Sequence, residues 1–120
     1  MSRIAAIVAD LVLVVVFVII GRASHAEALD FEGIQRTALP FLAGTLMAWI
    51  GFLLKRHSGL TLVNGVFVWA MTTVLGILFR LLLGDTAEVG FVVVTALVLA
   101  AFLIGWRAVL WLVRRKQPQA

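Results

Sequence analysis

Two charged residues sit inside runs that are otherwise apolar, and they are the first candidates for chemistry. Asp10 interrupts residues 4–21, IAAIVADLVLVVVFVIIG, and Arg107 belongs to a Gly-Trp-Arg triplet near the end of residues 89–113. Each run is long enough to cross a bilayer as a helix. A lone carboxylate in such a helix costs about 3 kcal/mol even on the gentlest insertion scale, so something must pair, solvate or protonate it. At 1.5 Å per residue, Asp10 and Arg107 each lie roughly 9 Å in from the same membrane face. The first and last runs are antiparallel, which puts the two charges at one level. A guanidinium can grip a carboxylate through two parallel hydrogen bonds. Trp49, Trp69, Trp106 and Trp111 fall in the same half of the membrane. Of these, Trp106 and Trp69 are expected beside the pair, with one indole stacked on the guanidinium.

Two readings of that pair stand side by side. It can be a fixed ion pair that sets helix register, or part of an ion or proton relay, since ionisable groups within a membrane are functional candidates by default. A purely structural pair should tolerate exchange of the two charges better than a proton carrier would. A second cluster, Arg22, His25 and Arg80, closes the other ends of the first and third runs, with Asp85 and Glu88 nearby. It suits a small anion-attracting pocket, or else arginines that snorkel to lipid headgroups; His25 adds a side chain suited to pH sensing. The chain has no Cys, its two His lie at opposite membrane faces, and it lacks GxSxG, HExxH, a Gly-rich phosphate loop and a paired carboxylate. The expectation is therefore no enzyme, no metal and no cofactor.

The elements that must position these groups follow from composition. Of 120 residues, 63% are hydrophobic and 13% charged, against roughly 45–50% and about 25% in soluble domains. Mean hydropathy is +1.14. Four apolar runs leave little sequence between them, so residues 1–120 form a single membrane domain. Spans are expected at about 4–21, 38–54, 61–83 and 89–113, with a loop at 22–37. Residues 24–26 resemble a signal-peptide cleavage site, but the first run is too long for that and carries an acid, which favours an uncleaved span. Within the loop, AEALDFEGI reads either as a short amphipathic surface piece or as plain loop. Pro40 is expected in the first turn of the second span. There Gly44, Ala48 and Gly51 form a small-residue stripe for close helix packing. On the third span, Gly65, Trp69, Thr72, Gly76 and Arg80 share the most polar face, opposite Val66, Val74, Ile77 and Leu81.

Lys and Arg number six at one membrane face (Arg3, Lys55, Arg56, Arg114, Arg115, Lys116) and three at the other (Arg22, Arg36, Arg80). That bias puts both termini in the cytoplasm. The net charge of +4 gives no nucleic-acid signal, because these cations flank membrane segments. The fold expected is an all-α integral membrane protein: four transmembrane helices in an antiparallel bundle, crossing near +20°.

The stretches DLVLVVVFVIIGRASH, TALPFLAGTLMAW, VWAMTTVLGILFR and GFVVVTALVLAAFLIGWR together resemble a family of small bacterial membrane proteins, family 3054 of the domains of unknown function. The resemblance runs from about Asp10 to Arg107. It implies four spans, a bacterial plasma membrane and no established activity. Two functions then compete. One is a structural or accessory membrane protein that packs, through the Gly44–Ala48–Gly51 stripe, on a second copy or another membrane protein. The other is a small oligomeric transporter or channel, ion- or proton-coupled, that uses Asp10 and the polar face of the third helix. In either case the immediate partner is the lipid bilayer.

Overall fold

The computed structural model describes residues 1–24, 27 and 29–116. Among these there are helices and no strands: α1 Arg3–Ser24, α2 Phe31–Leu54, α3 Leu62–Leu82, α4 Val89–Leu99 and α5 Gly105–Lys116. A single π-helical turn, Ala100–Ile104, joins α4 to α5, so the three make one continuous span. Four helices are thus long and apolar enough to cross a membrane.

Each start has a local cause. Ser2 Oγ accepts the Ala5 N–H at 3.1 Å, capping α1. Thr61 and Asn64 exchange side-chain bonds in a capping box at the start of α3. Asp30 caps α2 by accepting the Gly33 N–H at 2.8 Å, and Glu32 adds a negative charge to the first turn. As a result α2 begins at Phe31 rather than 38, and the expected 22–37 loop is largely helical. Pro40 lies well inside α2 instead of in its first turn. Its missing N–H leaves the Arg36 carbonyl without an α-helical donor. The last turn of α1 likewise carries the first span beyond Gly21, to Ser24.

Two helices end in the same motif. Gly84 has φ +90°, and the Asp85 N–H returns to Arg80 O at 3.0 Å, a Schellman ending with glycine in the left-handed position. α2 ends alike, with His57 N–H on Phe52 O at 2.9 Å. Here the left-handed residue is Arg56, at φ 58°, where a side chain is strained.

Lipid supplies no hydrophobic drive between helices, so close fit and polar contacts must hold them. The α2–α3 pair packs most extensively. A Cβ on Gly44 would stand 2.9 Å from Met71 O, and one on Gly76 would enter the Phe41 ring. Beside them Thr45 Oγ1 and Thr72 Oγ1 share a 2.7 Å hydrogen bond, and Thr45 also donates to Phe41 O. The small-residue stripe is therefore used inside the chain: Gly44 and Ala48 are buried, while Gly51 faces open space. Gly65, Thr72 and Gly76 of the polar α3 face are buried too, with Val66, Val74 and Leu81 exposed on the opposite side.

The π turn solves a phase problem. Thr95, Leu99, Leu103 and Arg107 are all buried at a constant spacing of four. At 3.6 residues per turn that row drifts by about 40° at each step. One wider turn unwinds the drift and keeps Arg107 on the inner face.

Candidate functional site

The structure brings Asp10 and Arg107 together. Both side chains are 0% exposed, and the two nitrogens of the guanidinium fork meet the two carboxylate oxygens, Nη1 to Oδ1 at 2.9 Å and Nη2 to Oδ2 at 2.7 Å. Two indoles complete the carboxylate. Trp106 Nε1 donates to Oδ1 and Trp49 Nε1 to Oδ2, each at 2.8 Å. Asp10 thereby accepts four hydrogen bonds, two at each oxygen, which fills its acceptor capacity.

Arg107 uses four of its five N–H groups, two of them on Asp10. Its Nε donates to Gly59 O and its Nη1 also to Leu103 O, both at 2.8 Å. Its Cζ lies 4.4 Å from the centre of the Trp106 ring, within cation–π range. Gly59 carries φ +77° and is buried between exposed Ser58 and half-buried Leu60. That left-handed conformation suits glycine, and a Cβ there would strike the Trp49 ring. The turn after α2 is thus folded inward so that its carbonyl reaches the guanidinium. Gly65 gives the arginine stem its room, since a Cβ at 65 would stand 2.7 Å from Arg107 Cδ. One centre accordingly ties together α1, α2, α3, α5 and the turn at residue 59.

Two expectations need correction. Trp69 is not part of this cluster: its Nε1 donates to Ala96 O at 2.8 Å, pinning α3 to α4. Trp49 takes the expected place, because α2 turns its buried Ala48–Trp49 face towards α1. The second concerns exchange of the charges. Indole N–H groups only donate, and Gly59 O and Leu103 O only accept. An arginine at 10 would face two donors and an aspartate at 107 two acceptors, so a swapped pair does not fit this site whatever its role.

What the arrangement can do chemically is limited. All four acceptor positions of the carboxylate are taken, and both charged side chains are fully buried. No residue in the cluster is a nucleophile beside a base. Gly59 O, Leu103 O and the Trp49 indole escaped the sequence reading; a backbone carbonyl carries no sequence signal, although the Ser-Gly pair at 58–59 does mark the turn.

The second cluster lies at the opposite end of the bundle. Arg22 Nη1 reaches Glu27 Oε2 at 2.9 Å and Thr37 Oγ1 at 3.1 Å, linking α1 to the first turns of α2. Arg80 Nε donates to Thr86 O at 2.7 Å, and its Cζ lies 4.6 Å from the centre of the Phe91 ring. Arg36 pairs with Asp85 at 3.2 Å. Arg22 and Arg80 line a common polar pocket of about 340 Å³. His25 lies outside the described residues.

No curated protein and no solved structure matches the chain. A family model does, over residues 7–110, a stretch that holds both members of the buried pair and all or most of each of the four apolar helices. The chain belongs to the family described as "Protein of unknown function (DUF3054)".

Proposed function

We propose that this is a multi-pass protein of the bacterial plasma membrane with a structural or accessory task, in which the Asp10–Arg107 pair fixes how the spans meet. Both termini face the cytoplasm on this reading, which rests on the six-to-three distribution of Lys and Arg. The observation that carries the proposal is the saturated carboxylate. A proton carrier needs an acceptor that opens to water and empties on demand; Asp10 is fully buried and holds four N–H donors. A register device needs what is present here, a polar contact that only one arrangement of the helices can satisfy. No catalysis and no nucleic-acid binding belong to this reading. The bilayer is the immediate partner, and any protein partner would meet the exposed faces, since Gly44 and Ala48 already serve the bundle.

Proteoliposomes loaded with a pH-sensitive dye test the proposal. The expected result is no proton or cation flux above that of protein-free vesicles. Flux that disappears in Asp10→Asn while the protein remains folded would replace this reading by the transport alternative.

A further inference from the structure

A groove of about 310 Å³ opens between the end of α2 and the start of α3. Phe52, Val63 and Phe67 give it apolar walls, and Lys55, His57 and Asn64 give it polar ones. Phe67 lies one turn deeper than Val63 along α3, and Gly51 one turn deeper than Lys55 along α2. Gly51 also lines the groove, and a Cβ there would meet no atom within 4 Å. Its missing side chain therefore leaves an open notch instead of a packing contact. Asn64 is 8% exposed and only half used. Its Oδ1 accepts the Thr61 N–H in the capping box, which fixes the other end of the amide as Nδ2. That nitrogen makes no hydrogen bond among the described residues. The fully enclosed polar side-chain atoms without a partner are, among those residues, the hydroxyls of Thr73 and Thr95. The Asn64 nitrogen is thus open, and it opens on the groove.

No acidic side chain answers these groups. Five of the six, Glu27, Asp30, Glu32, Asp85 and Glu88, belong to the opposite end of the bundle. The sixth, Asp10, has its acceptor positions filled. Lys55 and His57 join no ion pair among the described residues, and the His57 ring packs edge-on against Phe52. We infer that this groove binds an anionic phospholipid, with the phosphate on Lys55, His57 and Asn64 Nδ2 and one acyl chain running past Gly51 along Phe52 and Phe67. Lysine binds phosphate as a point charge, an imidazole offers an N–H in either protonation state, and the amide adds a neutral donor. Basic pockets between membrane helices suit anionic headgroups. The occupant must be anionic and apolar at once, because the walls are both. A free phosphate would leave the aromatic wall uncovered, and a zwitterionic lipid would bring its own cation to a site already positive. The inference deepens the reading of the bilayer as partner; the flux test concerns Asp10 and this one the groove, so either can fail without the other.

The test is thermal melting of the purified full-length chain in dodecyl maltoside micelles, titrated with phosphatidylglycerol. Phosphatidylcholine of the same acyl chains and inorganic phosphate are the matched arms. Phosphatidylglycerol should raise the melting temperature saturably, and the other two should not. Three variants each remove one part of the site. Lys55→Gln removes the charge at an exposed position, and Asn64→Asp puts an anion at the free donor while keeping an oxygen for the Thr61 N–H. Gly51→Leu fills the notch without meeting another side chain. Each should weaken phosphatidylglycerol binding by about tenfold, the loss of one well-placed contact. None should melt far below the wild type without lipid, and if one does, the other two decide. Absence of saturable stabilisation, equal stabilisation by phosphatidylcholine, or undiminished affinity in Asn64→Asp or Gly51→Leu would overturn the site. Stabilisation by inorganic phosphate as strong as by phosphatidylglycerol would overturn the lipid assignment and leave a site that reads phosphate alone.

Discussion

Replacing Asp10 by Asn keeps the shape of the side chain and removes its charge, and the structure indicates how much should be lost. In either orientation the amide sets an NH2 group where an oxygen now accepts two N–H bonds. If the nitrogen replaces Oδ2, Trp49 Nε1 and Arg107 Nη2 lose their acceptor; if it replaces Oδ1, Trp106 Nε1 and Arg107 Nη1 lose theirs. The two bonds that remain are no longer to an anion. A hydrogen bond to a charged group contributes about 1.5–3 kcal/mol, and breaking one side of a buried pair costs about 3–5 kcal/mol because the other charge stays buried. The expected destabilisation of Asp10→Asn is therefore about 3–5 kcal/mol, measured as equilibrium unfolding in mixed micelles by SDS titration. Trp49→Phe and Trp106→Phe remove one donor each and leave the ion pair, so each should cost about 1–2 kcal/mol. The double replacement Asp10→Leu with Arg107→Leu leaves no uncompensated charge, and it should lose less than Asp10→Asn alone. A loss below about 1 kcal/mol for Asp10→Asn, the size of one ordinary neutral hydrogen bond, would refute the view that this centre holds the bundle together.

Two more predictions concern the helices that carry the centre. Gly76→Ala puts a methyl group into the ring of fully buried Phe41, and overpacking of this kind should cost about 1–3 kcal/mol in the same unfolding assay. Arg56→Gly relieves a left-handed side-chain residue at the end of α2 and should stabilise by about 1 kcal/mol, seen as a higher melting temperature in detergent.

Much of this fold can be read from the sequence, for physical reasons that also mark where reading stops. Membrane spans are announced by length and apolarity alone, because lipid admits little else. The shared depth of Asp10 and Arg107 follows from counting residues along antiparallel helices. Which indole joins them does not follow. It depends on how each helix is rotated, and Trp49 and Trp69 differ only in that. The start of α2 was legible in Asp30 and Glu32, a capping residue with an acid in the first turn. Apolarity hides that signal, because the first two turns of α2 stand outside the apolar window that begins at 38. The π turn is hidden for a different reason. Val, Leu and Ala on all sides of the last span leave no polar stripe whose phase could be followed, and only the spacing of four from Thr95 to Arg107 hints at it. The inward carbonyl of Gly59 is a tertiary fact, set by what surrounds it.

The wide turn at Ala100–Ile104 also limits how this protein can change its length. Lipid tolerates helices a residue longer or shorter by tilting them, and an all-apolar segment looks like the safest place for an insertion or deletion. Here the two are not equal. Loss of one of those five residues would restore regular winding, and eleven steps of about 100° still return Arg107 to within about 20° of the face that carries Thr95. An added residue has no such remedy: with the wide turn kept as it is, it would carry Trp106 and Arg107 round by about 100° towards the acyl chains and leave Asp10 to the oil with one indole for company.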